Sequence, residues 1–256
     1  MARNDLSITR SGKGKAIILL HGWGMNASIF DPLCEDLNEY GQVYLVDLPG
    51  YGSSRWDSAL SFEDQTAQIV AQIPEGTLIG WSMGGLYATE MLRQNPGQYE
   101  RLILIASNPC FVQRPDWLCA VKESVFDDFA RELDRGWAVT IRRFLSLQML
   151  GNENAREIIR GLMVQIEKTG QPDAQALKFG LALLKHADAR PVLANCEIPI
   201  HMILGGRDAM VPSSLARDIG KVNAKIQVEL IASAAHTPFI SHTEQVVSMI
   251  VRQITR

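Results

Sequence analysis

The chain has 256 residues, 46% of them apolar, and a formal net charge of -3 at pH 7. That is enough apolar material for one large core, and the charge gives no general attraction to nucleic acid or to an anionic membrane. No apolar run reaches the roughly 20 residues that span a bilayer. Cys34, Cys110, Cys119 and Cys196 lack the spacing of a metal site and are expected to be reduced, buried thiols. Met1-Ala2-Arg3-Asn4-Asp5 leads into polar sequence rather than the apolar stretch of an export signal, so the cytoplasm is the expected compartment.

A short edge strand is predicted around Leu6–Thr9. Ala16-Ile17-Ile18-Leu19-Leu20 is a continuous apolar run, as in a strand buried on both faces. It ends in His21-Gly22-Trp23-Gly24-Met25. Ile29–Leu37 has helical spacing, and Val43–Val46 is the next strand, ending in Asp47-Leu48-Pro49-Gly50-Tyr51-Gly52. A helix over 62–73 starts at Ser61, with Asp64 three residues on as in a capping box. A β-prone run then leads into Gly80-Trp81-Ser82-Met83-Gly84, a helix follows to Arg93, and Asn95-Pro96 stops it. Leu102–Ala106 is another buried strand.

From about residue 112 to 186 no strand is predicted; the stretch reads as helices broken near Gly136, Gly151 and Gly170. Strands resume at Ile200–Leu204 and Ile226–Ile231, with helices over 213–219 and 243–254. This alternation predicts an α/β fold with a mostly parallel central sheet flanked by helices. The core comprises residues 1–111 and 187–256. The inserted helices, 112–186, form a cap over the C-terminal edge of the sheet.

Strand, Gly-x-Ser-x-Gly turn and helix are the parts of a nucleophile elbow. The turn is so tight that side chains at positions 80 and 84 are expected to clash with neighbouring backbone. A serine hydroxyl needs a base to take its proton, and the base needs a third group to fix its tautomer. In this arrangement the chain order is serine, acid, histidine. His236 follows the last strand and fits that order. His21, His186, His201 and His242 do not. Asp208, in the Gly205-Gly206-Arg207-Asp208 turn, ends the preceding strand. The equivalent turn one strand earlier, Ser107-Asn108-Pro109, carries no carboxylate. The predicted triad is therefore Ser82, Asp208 and His236. Two N–H donors should face the developing oxyanion: those of Met83, after the nucleophile, and of Trp23, in the loop after the early strand. The chemistry calls for no metal or organic cofactor.

Together these residues resemble the α/β-hydrolase superfamily over nearly the whole chain. The likeness narrows at His21-Gly22-Trp23-Gly24-Met25-Asn26, Gly80-Trp81-Ser82-Met83-Gly84-Gly85-Leu86, Arg143-Phe144-Leu145-Ser146-Leu147-Gln148 and Ala234-Ala235-His236-Thr237-Pro238-Phe239. These stretches resemble the pimeloyl-[acyl-carrier protein] methyl ester esterases of biotin synthesis. The resemblance implies a soluble serine carboxylesterase that releases methanol from a pimeloyl methyl ester carried on acyl carrier protein. It implies substrate contacts at Trp23, Ser82, Met83, Phe144, Leu145, Ser146, Leu147, Gln148 and His236, with Phe144, Leu147 and Gln148 on one helical side facing the pocket if Arg143 faces solvent.

Between Trp137 and Lys185 seven basic residues stand against four acidic ones, in a chain that is acidic overall. Such a face suits an acidic partner. The resemblance makes that partner the carrier protein, docking on Arg143, Arg156 and Arg160 with Arg142 beside them, although the family's first basic position falls on Val139. The enzyme is expected to be a monomer. Two alternatives stand beside this reading: a general short-chain esterase or another hydrolase of the same fold, which would show no preference for carrier-linked esters, and a non-catalytic binding protein, whose serine would not react with a fluorophosphonate.

Overall fold

The computed structural model describes residues 6–149 and 154–255; Gly151 and Glu153 lie outside them. In chain order the elements are β1 (Ile8–Gly12), β2 (Ala16–Leu20), α1 (Asp31–Leu37), β3 (Gln42–Val46), α2 (Phe62–Val70), β4 (Gly76–Trp81), α3 (Met83–Gln94) and β5 (Tyr99–Ile105). Among the described residues four helices follow without a strand: α4 (Glu123–Leu133), α5 (Trp137–Gln148), α6 (Ala155–Thr169) and α7 (Ala174–His186). The chain then continues with α8 (Arg190–Ala194), β6 (Ile200–Gly205), α9 (Leu215–Asp218), β7 (Gln227–Ile231), α10 (Pro238–Ser241) and α11 (Thr243–Ile254).

One seven-stranded sheet has the order β1-β3-β2-β4-β5-β6-β7. All pairs are parallel except β1 with β3. Every residue of β2, β4 and β6 is buried, as expected of strands covered on both faces. The predicted edge strand exists but lies later, at Ile8–Gly12, and runs antiparallel to β3. The helix at 62 begins with the predicted capping box between Ser61 and Asp64. The short helices α8 and α10 are too brief to leave a periodic signal in the sequence.

The insertion meets the core along a seam of hydrogen bonds. Asn26 donates to Thr169 Oγ1 at 2.6 Å, the Asp173 N–H to the Gly50 carbonyl at 2.8 Å, and the Tyr51 hydroxyl to the Ala176 carbonyl at 3.3 Å. The two crossings between core and insertion are clamped side by side. Arg114 donates to the His186 carbonyl at 3.1 Å. Arg190 pairs with Asp188 and Asp116 and lies 5.1 Å from the centre of the Trp117 ring. Among the described residues, no helix is long and apolar enough to cross a membrane.

Candidate active site

Ser82 stands between β4 and α3 with φ 54° and ψ -121°. This is a left-handed conformation that a residue with a side chain adopts only under constraint, at a cost on the order of 1–3 kcal/mol. The constraint is visible on both sides. A Cβ at Gly84 would lie 2.0 Å from the Leu20 carbonyl oxygen, and one at Gly80 would lie 2.5 Å from Gly85 Cα. The glycines of the motif thus allow backbone to approach backbone, and the unusual dihedral belongs to the serine itself. The Ser107 hydroxyl donates to the Ser82 carbonyl at 2.8 Å, and the Ser82 N–H to the Ile105 carbonyl at 3.0 Å.

Two loops at the same edge of the sheet bring the partners. His236 Nε2 is 2.8 Å from Ser82 Oγ, and its Nδ1 is 2.7 Å from Asp208 Oδ2. With an ionised carboxylate on one side, Nδ1 carries the ring proton and Nε2 is left to accept from the serine. Asp208 Oδ1 accepts from the N–H groups of Met210 and Val211 at 2.7 and 2.9 Å, which fixes the carboxylate in its plane. The acid turn and the histidine loop are also tied to each other, through the Arg207 N–H and the Ala234 carbonyl at 2.9 Å. The main chain of His236 is held at both ends. Its carbonyl accepts from the Trp81 indole at 2.8 Å, and its N–H donates to the Gln148 carbonyl of α5 at 3.1 Å.

Met83 opens α3, so its N–H is among those that no carbonyl of the same helix can take. The loop after β2 runs close by: a Cβ at Gly22 would be 3.1 Å from Ser82 Cβ. The next residue, Trp23, is 1% exposed. Its indole donates to the Leu177 carbonyl of α7 at 2.8 Å, and its ring meets Phe144 edge-on at 4.8 Å between centroids. His21, at the root of this loop, is wholly buried. It accepts the Leu48 N–H on Nε2 and donates from Nδ1 to the Gly22 carbonyl. Burial, opposed by Asp47, lowers its pKa from the ordinary value to about 4, so it is neutral and structural.

The run 144–148 does not face the serine as a block. Successive helical residues turn by about 100°, so five of them cover more than a full circle. Phe144, Leu145 and Gln148 are buried, with Phe144 against Trp23. The Oε1 of Gln148 has no hydrogen-bond partner among the described residues. Ser146 is exposed, and Leu147 sits with Val125 and Phe129 in a hollow between α4 and α5. Helical rotation keeps Phe144, Leu147 and Gln148 on one side of α5, with Phe144 and Leu147 both beside Phe129, and turns Ser146 away from them.

The arginines divide in the same way. Arg142, Arg156 and Arg160 line one hollow of about 560 Å³ between α5 and α6, together with Ser146. Arg143 turns toward α4, where it pairs with Glu132 and lies 5.5 Å from the centre of the Phe129 ring. Arg143 thus stands apart from the hollow that gathers Arg142, Arg156 and Arg160. The sequence reading missed three further contacts around the site: the Trp81 indole on the His236 carbonyl, the Gln148 carbonyl on the His236 N–H, and Gly180 against Trp23. Only Gly180, a glycine within a helical run, left any signal.

Comparison with known proteins agrees with this architecture. Residues 17–249 match the model of the alpha/beta hydrolase family. Among solved structures, an esterase from Exiguobacterium antarcticum superposes with a TM-score of 0.89 over 98% of this chain and 96% of its own, at 20% identity. The enol-lactonase from Burkholderia xenovorans LB400 gives 0.84 over 98% and 96%, at 18% identity. Likeness at that level of identity speaks for the fold alone. Pimeloyl-[acyl-carrier protein] methyl ester esterases of Salmonella typhi and Salmonella paratyphi A are each 36% identical over 241 residues, 93% of this chain and 94% of theirs. This chain belongs to the alpha/beta hydrolase family and, within it, to the family of the pimeloyl-[acyl-carrier protein] methyl ester esterases.

Proposed function

We propose that the protein hydrolyses the methyl ester of pimeloyl-[acyl-carrier protein], releasing methanol and leaving the free carboxylate on the carrier-bound chain. The observation that carries the chemistry is the unbroken hydrogen-bonded line Asp208–His236–Ser82. The substrate follows from the relatives' names and their full-length match. Ser82 Oγ attacks the ester carbonyl while His236 Nε2 takes its proton. The N–H groups of Trp23 and Met83 hold the tetrahedral oxyanion, and Asp208 steadies the imidazolium. His236 then gives the proton to the departing methoxide. Water attacks the acyl carbon as His236 takes its proton, and His236 then returns that proton to Ser82 Oγ as the acid leaves.

In this reading residues 112–186 act as a lid, because a serine only 2% exposed must be uncovered before an ester can reach it. Phe144 and Leu145 pack the acyl chain, and the amide oxygen of Gln148, without a partner among the described residues, awaits a donor from the substrate. Arg142, Arg156 and Arg160 receive the acidic carrier. The enzyme works as a monomer in the cytoplasm, a setting that its four unpaired thiols, all at least half buried, suit.

The test compares hydrolysis of the carrier-linked methyl ester with that of p-nitrophenyl acetate as salt is raised. A strong preference for the carrier-linked ester, eroded by salt, is expected. Equal efficiency on both at every ionic strength would leave a general esterase instead.

A further inference from the structure

Helix α7 holds a glycine in its interior, where alanine is the better helix former. The insertion has another such residue for contrast. At Gly161 of α6 a Cβ would meet nothing within 4 Å, so that position has room to spare. At Gly180 a Cβ would lie 2.6 Å from Trp23 Cδ1, 2.7 Å from the Tyr51 hydroxyl and 3.0 Å from the Met83 sulfur. Two of these three neighbours supply the N–H groups assigned to the oxyanion. The same face of α7, one turn earlier, presents the Leu177 carbonyl to the Trp23 indole and the Ala176 carbonyl to Tyr51.

We propose that Gly180 and the Leu177 carbonyl are positioning elements for the oxyanion hole: its two donors reach working geometry only when α7 seats directly on Trp23 and Met83. The inference rests on the serine-hydrolase reading above. Its physical basis is the small tolerance of such sites, in which donors must stand about 2.7–3.1 Å from the developing charge. A methyl group at position 180 demands close to 1 Å of extra separation to reach ordinary van der Waals contact. Trp23 cannot swing aside to provide it, because Phe144 abuts its ring and Leu177 holds its nitrogen. The displacement must therefore pass either into the loop that carries the Trp23 N–H or into the seating of α7. With α7 lifted the hole is loose, while the Trp81 indole and the bond between Arg207 and Ala234 still hold the His236 loop from the core, so that bond-making waits for closure.

Gly180→Ala tests this with p-nitrophenyl acetate and a fluorophosphonate, neither of which needs a carrier. The expected result is a fall in kcat of about 10- to 100-fold, with KM within about twofold and the kinetic pKa values unmoved, since the triad is untouched. Labelling of Ser82 should slow in parallel, because the phosphoryl oxygen occupies the same hole. Gly161→Ala, matched in chemistry but facing open space, should behave as wild type. Should Gly180→Ala fail to fold, Trp23→Phe keeps a ring and removes the N–H to Leu177, and the same two readouts should fall about threefold or more. Wild-type kcat and labelling in a folded Gly180→Ala protein, or in Trp23→Phe where the former does not fold, would overturn the proposal, as would a loss confined to KM. A wild-type protein that neither hydrolyses esters nor labels would instead overturn the serine-hydrolase reading, and the role of Gly180 with it.

Discussion

At the elbow between β4 and α3, backbone meets backbone. Gly84 rests against the Leu20 carbonyl and Gly80 against Gly85, with no side chain between them that could rotate away. Along the seam beneath α6 and α7, apart from the Asp173 N–H on the Gly50 carbonyl and Gly170 against the Gly52 carbonyl, the contacts are of another kind. Side chains of the core, from Asn26, Tyr51 and Trp23, donate single hydrogen bonds to a threonine hydroxyl and to helix carbonyls. Contacts of the first kind cannot be relieved without unfolding the sheet edge. Those of the second kind exchange for water at a net cost of about 1 kcal/mol each. The elbow that carries Ser82 is thus held by contacts that cannot give, whereas the inserted helices are attached largely by bonds that can be released one at a time.

Four measurements would break or sharpen that contrast. The largest effect belongs to the elbow: Ser82→Ala should lower ester turnover by about 10⁴-fold or more while circular dichroism and the melting temperature stay near wild type. A folded variant with substantial turnover would remove Ser82 from the chemistry. Next comes the pH dependence of the elbow's support. Burial depresses the pKa of His21 to about 4, so between about 4 and 6.5 the unfolded chain binds a proton that the folded chain refuses. Stability should be complete above pH 6.5 and should decline as pH falls toward 4, by about 3 kcal/mol at most. Urea midpoints across that range would measure it. His21→Gln should show a visibly shallower slope, and an unchanged slope would exclude the histidine as the cause.

The remaining two effects concern the inserted helices. Arg156→Glu combined with Arg160→Glu should raise KM for the carrier-linked ester by about tenfold and flatten its salt dependence, with p-nitrophenyl acetate unaffected. Arg143→Ala should change the same KM by no more than about twofold, because that guanidinium is already engaged by Glu132 and Phe129. A larger effect from Arg143 than from the pair would restore the grouping read from the sequence.

The core side was the more legible of the two. That Ser82, Asp208 and His236 would meet could be expected because strand ends, glycine turns and chain order all bear on them, and each of those is local. The buried strands declared themselves as unbroken apolar runs. What local pattern could not supply was direction within the insertion. Arg142 and Arg143 are adjacent letters on one helix, yet α6 receives the first and α4 the second. The same limit applied to the stretch from Phe144 to Gln148, where helical rotation divides residues that read as one block. Contacts made by main-chain atoms, such as Gln148 on His236 and Leu177 on Trp23, are blind to residue identity and leave no trace in composition.

The two chain crossings tied by Arg114 and Arg190 impose a mechanical asymmetry. A body fastened along one border has a single easy motion, a swing about that border, and its bonds part in order of distance from the pivot. Hydrogen exchange on the whole protein should therefore find the α5–α6 side loosening earlier than the residues around Asp188, so that solvent first reaches the serine from the flank bearing Arg142, Arg156 and Arg160.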